Sequence, residues 1–367
     1  MGNGKVFLTG AFGNVGANAV KHLSDQGYEI VCFDVRSRTN ETKARELARR
    51  HHFTTVWGNL VDQDSVFKAM AEHKPDAILH LASVIAPMAY VLPELAHDVN
   101  VNGTRYLIQA AQKLKRRPKF INISSYTVHG PRNPYKKLPL ITGDTPVNPT
   151  DNYGKQKVIA EQLVAASGLE WTTIRLPAVQ ATDSNWGRHP AFMKYAFLLS
   201  LDRHMHVLDS RDAALGVVNA IGASGVNGRY FDLGGPEDSC RLVYQDYLIG
   251  LSEARGIRLF PKDAFRRADP KVDATWYNED FIDTSESQAI LKYQVHSFQD
   301  YLAFVSEANK WTKRLLKVIG PLVDRQLLKE STTLGSPIEI NSRPLWDVVC
   351  DRYNIVEEFR GNVAGIG

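Results

Sequence analysis

The sequence predicts an α/β fold: a doubly wound parallel sheet, then a smaller lobe and a helical C-terminal extension. Three observations carry this. Short apolar runs alternate with segments of helical period through the first half of the chain, a glycine-rich turn follows the first of those runs, and after Pro177 the alternation loosens into mixed, polar sequence. Strands separated by helices of roughly 10–15 residues pair in parallel as βαβ units. Their runs are apolar on both faces, as a sheet covered by helices on each side requires.

The elements follow in order. KVFLTG (5–10) reads as a strand, 14–26 as a helix, YEIVCFD (28–34) as a strand and 40–52 as a helix. FTTVWG is the third strand, and DQDSVFKAMAEH is a helix opened by Asp62 or Asp64. PDAILHLAS is the fourth strand, one long helix is expected over 90–116, and KFINISS is the fifth strand. Helix 150–167 and strand EWTTIRL close the run. Beyond Pro177, segment 178–205 is irregular and aromatic, HVLDSRDAALGVVNAI gives a short strand and a helix, and GRYFDLGG gives another strand. WTKRLLKVIGPLVDRQLLKE is basic and amphipathic but interrupted at Gly320-Pro321, and the last 35 residues read as irregular.

Composition narrows the function classes. With 367 residues, 44% hydrophobic and 23% charged, the chain can bury one large domain or a domain plus a lobe. A net charge of +4 is too mild to point to nucleic acid, and no nucleic-acid-binding motif occurs. No apolar run reaches the roughly 18 residues of a membrane span. MGNGKVFLTG enters a strand directly, so no secretory leader is expected, and Val6 stands where myristoylation of Gly2 would favour Ser or Thr. Cys32, Cys240 and Cys350 form no CxxC pair, which suits a reduced cytoplasmic chain with neither disulfides nor a zinc site. His204 and His206 share a strand face, but no carboxylate or Cys completes a metal set, so no metal is expected.

Two motifs carry chemistry. TGAFGNVG sets Gly10, Gly13 and Gly16 between strand and helix, where glycine permits a tight turn, close approach of backbone N–H groups to a pyrophosphate, and close helix–strand packing. The helix N-terminus adds partial positive charge. Asp34 ends the second strand, placed to hold a ribose 2′-hydroxyl; this favours NAD, while Arg36 and Arg38 keep NADP as the alternative. GNLVD would set Asn59 and Leu60 at the adenine. In PTDNYGKQK, Tyr153 and Lys157 share a helix face, and an ammonium beside a phenol is expected to lower the phenol pKa and arm it for proton transfer.

In this order, TGAFGNVG, HLAS (80–83), NVNGT (100–104), SSYTVHG and YGKQK resemble the extended short-chain dehydrogenases/reductases, the NAD-dependent epimerase/dehydratase superfamily. The resemblance implies a Rossmann-type sheet, bound NAD(P), and a catalytic set of Ser125, Tyr153 and Lys157. Ser125 would hydrogen-bond the substrate oxygen, Tyr153 would be the acid/base, and Lys157 would bind the nicotinamide ribose. Adjacent strand residues face opposite ways, so Ser124 is not expected to reach the site beside Ser125. Further cofactor contacts are expected from Phe12, Asn14 and Val15 in the loop. Others are expected from Leu81, Ala82, Ser83, Asn100, Ile123 and Pro177 along the strand ends. Val84, Tyr126, Ala178, Val179 and Phe192 are the expected substrate contacts. A homodimer through helices near 90–116 and 150–167 is the family's habit.

Departures from the family pattern bear on the reaction. Where nucleotide-sugar dehydratases keep an Asp-Glu pair, this chain has Tyr126 and Thr127, which argues against elimination. Ala178 replaces an Asn common in sugar-nucleotide members, and His129 replaces the Tyr of VYG. With the aromatic segment 185–205, these suggest a small, less polar substrate in an apolar pocket. The expected division is a nucleotide domain at 1–177 with 206–236, a substrate lobe at 178–205 and 237–305, and an extension at 306–367. A dehydrogenase/reductase leads, followed by a nucleotide-sugar epimerase and a non-catalytic NAD(P) sensor. A serine hydrolase is set aside because no GxSxG occurs. The basic stretch 311–330 could touch a membrane surface, cap the substrate site, join a dimer or pack on its own domain.

Overall fold

The computed structural model describes residues 3–183, 189–311 and 325–360. Its centre is a seven-stranded parallel sheet. The strands are β1 (Lys5–Thr9), β2 (Glu29–Asp34), β3 (Thr54–Trp57), β4 (Ala77–His80), β5 (Lys119–Ser125), β6 (Trp171–Leu176) and, far along the chain, β9 (Arg229–Asp232). Their order is β3-β2-β1-β4-β5-β6-β9. The chain winds outward from β1 in both directions, so a crevice opens beyond the C-terminal ends of β1 and β4, where such sheets bind ligands.

The strand sequences explain the two cores. In β1, Val6 and Leu8 face the helices α1 (Asn14–Asp25) and α9 (Ser210–Asn219), while Phe7 faces α3 (Gln63–His73) and α6 (Gly103–Gln112). The period-2 alternation thus feeds both faces of one strand into separate apolar layers. Asp62, rather than Asp64, caps α3: its carboxylate accepts from the N–H groups of Asp64 and Ser65 at 3.1 and 3.2 Å. The expected helix over 40–52 is shorter, α2 at Arg38–Leu47.

The single helix expected over 90–116 is replaced by α4 (Met88–Val91), α5 (Pro93–His97), a wide π turn at Asp98–Asn102, and α6. Pro93 has no N–H to continue α4, so the axis restarts there. The π turn holds Asn100 inside the protein, and such wide turns often mark functional sites. Helix α7 spans Asn152–Ala165.

A second, three-stranded sheet of β7 (Ala178–Gln180), β8 (His204–Asp209) and β10 (Arg241–Val243) carries the lobe, with β8 in the middle. Around it stand α8 (Pro190–Ala196), α10 (Glu237–Cys240), α11 (Tyr244–Arg255) and α13 (Phe298–Ala308), while α12 (Ser285–Leu291) packs on α9, with Leu291 in the core of the large sheet. His204 and His206 are both engaged by protein, His204 with Asp280 and His206 with Gly235 O and Ile282 N.

The last 35 residues are less irregular than their composition suggests. A short strand β12 (Ile340–Asn341) pairs in parallel with β11 (Arg267–Ala268), and α14 (Leu345–Tyr353) buries Leu345, Val349 and Cys350 in the lobe core. Trp346 and Tyr353 flank Tyr90 at ring-centroid distances of 5.5 and 5.8 Å. Of the basic stretch 311–330, residues 312–324 lie outside the described residues, as do 184–188 of the aromatic segment. No helix among the described residues is long and apolar enough to cross a membrane.

Candidate active site

A cavity of about 760 Å³ runs across the crevice from the glycine loop to the lobe. At the nucleotide end, Gly10 has φ +65°, and a Cβ there would meet the Ala82 backbone at 2.8 Å. A Cβ on Gly16 would stand 2.1 Å from Gly10 O, so only glycine lets α1 start this close to β1. Gly13 caps α1 and has no side chain to occupy the helix's first N–H groups, which suits an anion. Asp34 accepts from Phe12 N at 2.9 Å, from Val35 N at 2.8 Å and from Asn40 Nδ2 at 3.2 Å. One carboxylate therefore ties the glycine loop to the end of β2 and keeps acceptor capacity towards the cavity it lines. Burial raises its pKa, and the Phe12 and Val35 N–H groups pull it back.

A buried relay fixes the middle of the site. Thr104 Oγ1 donates to Asn100 O at 2.8 Å, so it accepts from His80 Nε2 at 2.9 Å. His80 Nδ1 then accepts from Thr9 Oγ1 at 2.8 Å, which itself accepts from Ala82 N at 3.2 Å. This requires neutral imidazole, and burial pushes His80 down to about 3, with Lys157 adding to the fall. Asn100 completes the frame: Oδ1 accepts from Ser83 Oγ and Val84 N, and Nδ2 donates to Val84 O and Gln156 Oε1. It does not line the cavity; it holds the 83–84 loop against α7.

At the end of β5, Ser125 Oγ accepts from Thr127 N at 3.3 Å and from Thr127 Oγ1 at 3.1 Å. Both Thr127 donors are spent on it, so the Ser125 O–H proton is free to point outward. Asp151 caps α7, accepting from Gly154 N at 2.8 Å and Asn278 Nδ2 at 2.7 Å, and sets Tyr153 in the first turn. Burial raises Asp151 to about 6. Lys157 Nζ donates to Ile123 O at 2.9 Å and stands 6.0 Å from the Tyr153 ring centroid. Burial lowers Lys157 to about 8, against the pull of Glu161. The expected fall of the Tyr153 pKa is not what the structure gives: burial raises it well above the ordinary phenol value, and the Ser125 and Ser83 hydroxyls only partly oppose this. The desolvation of the ring outweighs an ammonium that is turned to a backbone carbonyl.

Ser125, Tyr153 and Lys157 line one cavity with Gly10, Gly13, Asn14, Val15, Gly16 and Asp34. So do Asn59, Leu60, Leu81, Ala82, Ser83, Ile123 and Pro177, and on the lobe side Val84, Tyr126, Ala178 and Val179. Four expected contacts lie off the wall. Phe12 is core, Asn100 is behind it, Arg36 is exposed and bound to Glu41 at 2.7 Å, and Phe192 is elsewhere on α8. Ser124 also borders the cavity, but its hydroxyl oxygen is fully buried.

Sequence reading missed Phe33, Val35, Asn40 and Gly58 at the nucleotide end. Gly58 was within reach: it directly precedes Asn59, and a Cβ there would strike Phe33 at 2.4 Å. It also missed Tyr195, Leu199, Arg203, Tyr277 and Glu279 at the lobe end. Arg203 and Glu279 form a buried ion pair, with the Tyr126 phenol beside the Glu279 carboxylate. The pocket expected to be apolar thus carries a buried ion pair in its wall. Beneath β5, His129 Nε2 meets Asp232 at 3.0 Å, both side chains fully buried.

The crevice, the glycine cradle and the Ser-Tyr-Lys convergence define a dinucleotide-binding α/β enzyme. The sequence profile of the NAD dependent epimerase/dehydratase family matches residues 6–193, just over half of the 367. The chain belongs to that family, and NAD is its cofactor, as the cradle's shape and Asp34 fit. The chain is 30% identical over 186 residues to a UDP-glucose 4-epimerase of Lactobacillus helveticus, covering 49% of this chain and 53% of the relative. It is 30% identical over 128 residues to a D-erythronate dehydrogenase of Cupriavidus necator, covering 34% and 38%. The chain thus spans about half, or less, of the curated relatives it matches. Among solved structures it resembles a UDP-glucuronic acid 4-epimerase from Bacillus cereus in complex with UDP-glucuronic acid and NAD. That likeness has TM-score 0.67 at 20% identity, covering 84% of this chain and 99% of that one. A UDP-glucose 4-epimerase from Thermus thermophilus with NAD gives TM-score 0.66 at 17% identity, with the same coverage.

Proposed function

We propose that the protein is an NAD-dependent dehydrogenase/reductase acting on a carbinol or carbonyl carbon of a small substrate. The observation that supports it is the convergence of Ser125, Tyr153 and Lys157 on the cavity that also holds the glycine loop and Asp34. Residues 1–177 with 206–236 hold NAD, through the Gly10–Gly16 loop, Asp34, Asn59 and Leu60; residues 178–205 and 237–305 shape the substrate end. Bound NAD supplies a hydride acceptor or donor at nicotinamide C4.

The chain's own groups manage the oxygen and its proton. Ser125, with Thr127 spending both donors on its Oγ, turns its O–H to the substrate oxygen and fixes it. Tyr153 takes the proton from a carbinol, or gives it to a carbonyl oxygen. Lys157, one turn further along α7, supplies positive charge that favours the phenolate as it forms. The apolar walls, with Ile85, Ala86, Leu95 and Leu199, exclude water from the transfer. The same reading includes a reduced cytoplasmic setting, supported by three free, buried cysteines, and a homodimer through the segments near 90–116 and 150–167.

A second reading, a nucleotide-sugar epimerase, is favoured by the epimerase named among the relatives. Cofactor released from the purified protein is identified, and alcohols, ketones and UDP-sugars are then screened by nicotinamide absorbance. Steady NADH accumulation with an alcohol is the expected result. Isomerisation of a UDP-sugar with no net NADH would replace this proposal with the epimerase.

A further inference from the structure

The lobe end of the cavity holds a feature that the hydride-transfer reading does not use. Arg203 (5% exposed) and Glu279 (2% exposed) face each other there as an ion pair, Arg203 Nη1 donating to Glu279 Oε2. Among the described residues, Arg203 Nε is buried without a hydrogen-bond partner, and Glu279 Oε1 has none beyond the Tyr126 phenol beside the carboxylate. Leaving such groups unpaired is costly. Here both residues line the cavity. The guanidinium lies 4.2 Å from the Tyr244 ring centroid and 5.4 Å from that of Tyr277, which hold it in place. Tyr126, next to Ser125 in the chain, stands beside Glu279, so the pair is joined directly to the part of the site proposed to hold the reacting oxygen.

Charge decides what fits. Glu279 neutralises Arg203, and the neighbouring Asp280 is committed to Arg132 and His204. Among the described residues, Lys157 is the only other cation on the wall, and it lies on α7 beneath the nicotinamide end. A phosphate or carboxylate brought to the lobe end would meet a carboxylate and no spare cation. A hydroxyl carries one donor and one acceptor, and these suit a neutral carboxylate–guanidinium pair set in the wall. The cavity, about 760 Å³, falls within the range for one ligand yet must hold the dinucleotide as well, which favours a compact substrate.

We infer that Arg203 and Glu279 are a charge-neutral anchor for a second hydroxyl of the substrate. The substrate class is then a compact, uncharged polyol or free sugar, rather than a lipophilic alcohol, a sugar acid or a nucleotide sugar. The inference deepens the dehydrogenase reading and rests on it.

The test uses the full chain saturated with NAD. Short alditols and aldoses, their deoxy analogues, the matching aldonates and UDP-glucose are compared by NADH absorbance. The same compounds are titrated calorimetrically into Tyr153→Phe protein, where binding is read without turnover. At least one neutral polyol or sugar is expected to be preferred roughly 10- to 100-fold over its deoxy analogue, its aldonate and UDP-glucose. Glu279→Gln uncovers the Arg203 charge and should shift the preference towards the aldonate, with NAD affinity unchanged. If Glu279→Gln does not fold, Arg203→Met with Glu279→Met, which leaves no unpaired charge, should erase the preference for the hydroxylated compound. The inference is overturned if these variants leave the preference unchanged, if an anionic compound is preferred by the unaltered protein, or if no polyol or sugar binds saturably. Full turnover by Tyr153→Phe with the binding pattern intact would sink the acid/base reading alone.

Discussion

The two ends of one cavity are built on different principles. The nucleotide end comes from consecutive stretches within the first 60 residues: the Gly10–Gly16 loop, Asp34, and Gly58 to Leu60. It presents backbone, and its glycines are required by contacts as close as 2.1 Å. The lobe end gathers Tyr126, Tyr195, Leu199, Arg203, Tyr277 and Glu279 from distant parts of the chain and presents side chains. Backbone recognition imposes a residue type at fixed spacing, whereas side-chain recognition imposes only a final position in space. Such an arrangement can keep the cofactor while the substrate changes.

The largest expected effect tests the frame between the ends. His80 sits at about 3 in the fold against an ordinary 6.5. The folded state thus binds fewer protons than the unfolded chain between these values, so stability should fall as pH drops from 6.5 towards 3, by on the order of 4 kcal/mol. Urea unfolding across this range measures the slope, and His80→Gln should flatten it; an equal slope in the variant would remove the relay from the account. Next, Gly16→Ala forces the loop backbone to move and should weaken NAD binding by about 100-fold, roughly 3 kcal/mol. Unchanged affinity would mean that the cradle tolerates a side chain. Asp34→Ala removes the acceptor for Phe12 N and should cost NAD affinity about tenfold, as measured by titration. The smallest effect separates the ends. Leu199→Val should lower stability by about 1 kcal/mol and alter substrate KM, while NAD affinity stays within about twofold. A matching loss of NAD affinity would show that the ends are not independent.

What was legible in the sequence follows the same division. The alternation of strands and helices, the glycine loop, Asp34 and the Tyr153-Lys157 spacing were legible from local patterns, because each depends on spacing within a turn, a strand or a helix; Ser125 was joined to them only by the family resemblance. The break of the expected 90–116 helix needed the weight given to Pro93, and the π turn depends on Asn100 being pulled inward by Ser83, Val84 and Gln156. The Tyr153 pKa was misjudged because spacing shows a neighbouring lysine but not the burial that outweighs it. Arg203 and Glu279 meet across 76 positions, and only the fold of the lobe joins them. The one local sign was an acidic residue set directly among Trp276, Tyr277 and Phe281.

The proposed division of labour has Tyr153 move the proton while other residues hold the cofactor. It is tested most directly by Tyr153→Phe, with turnover and NAD affinity measured on the same preparation. Turnover is expected to fall by about 10²- to 10⁴-fold, with NAD affinity within about threefold of the unaltered protein. Turnover equal to that of the unaltered protein would contradict it.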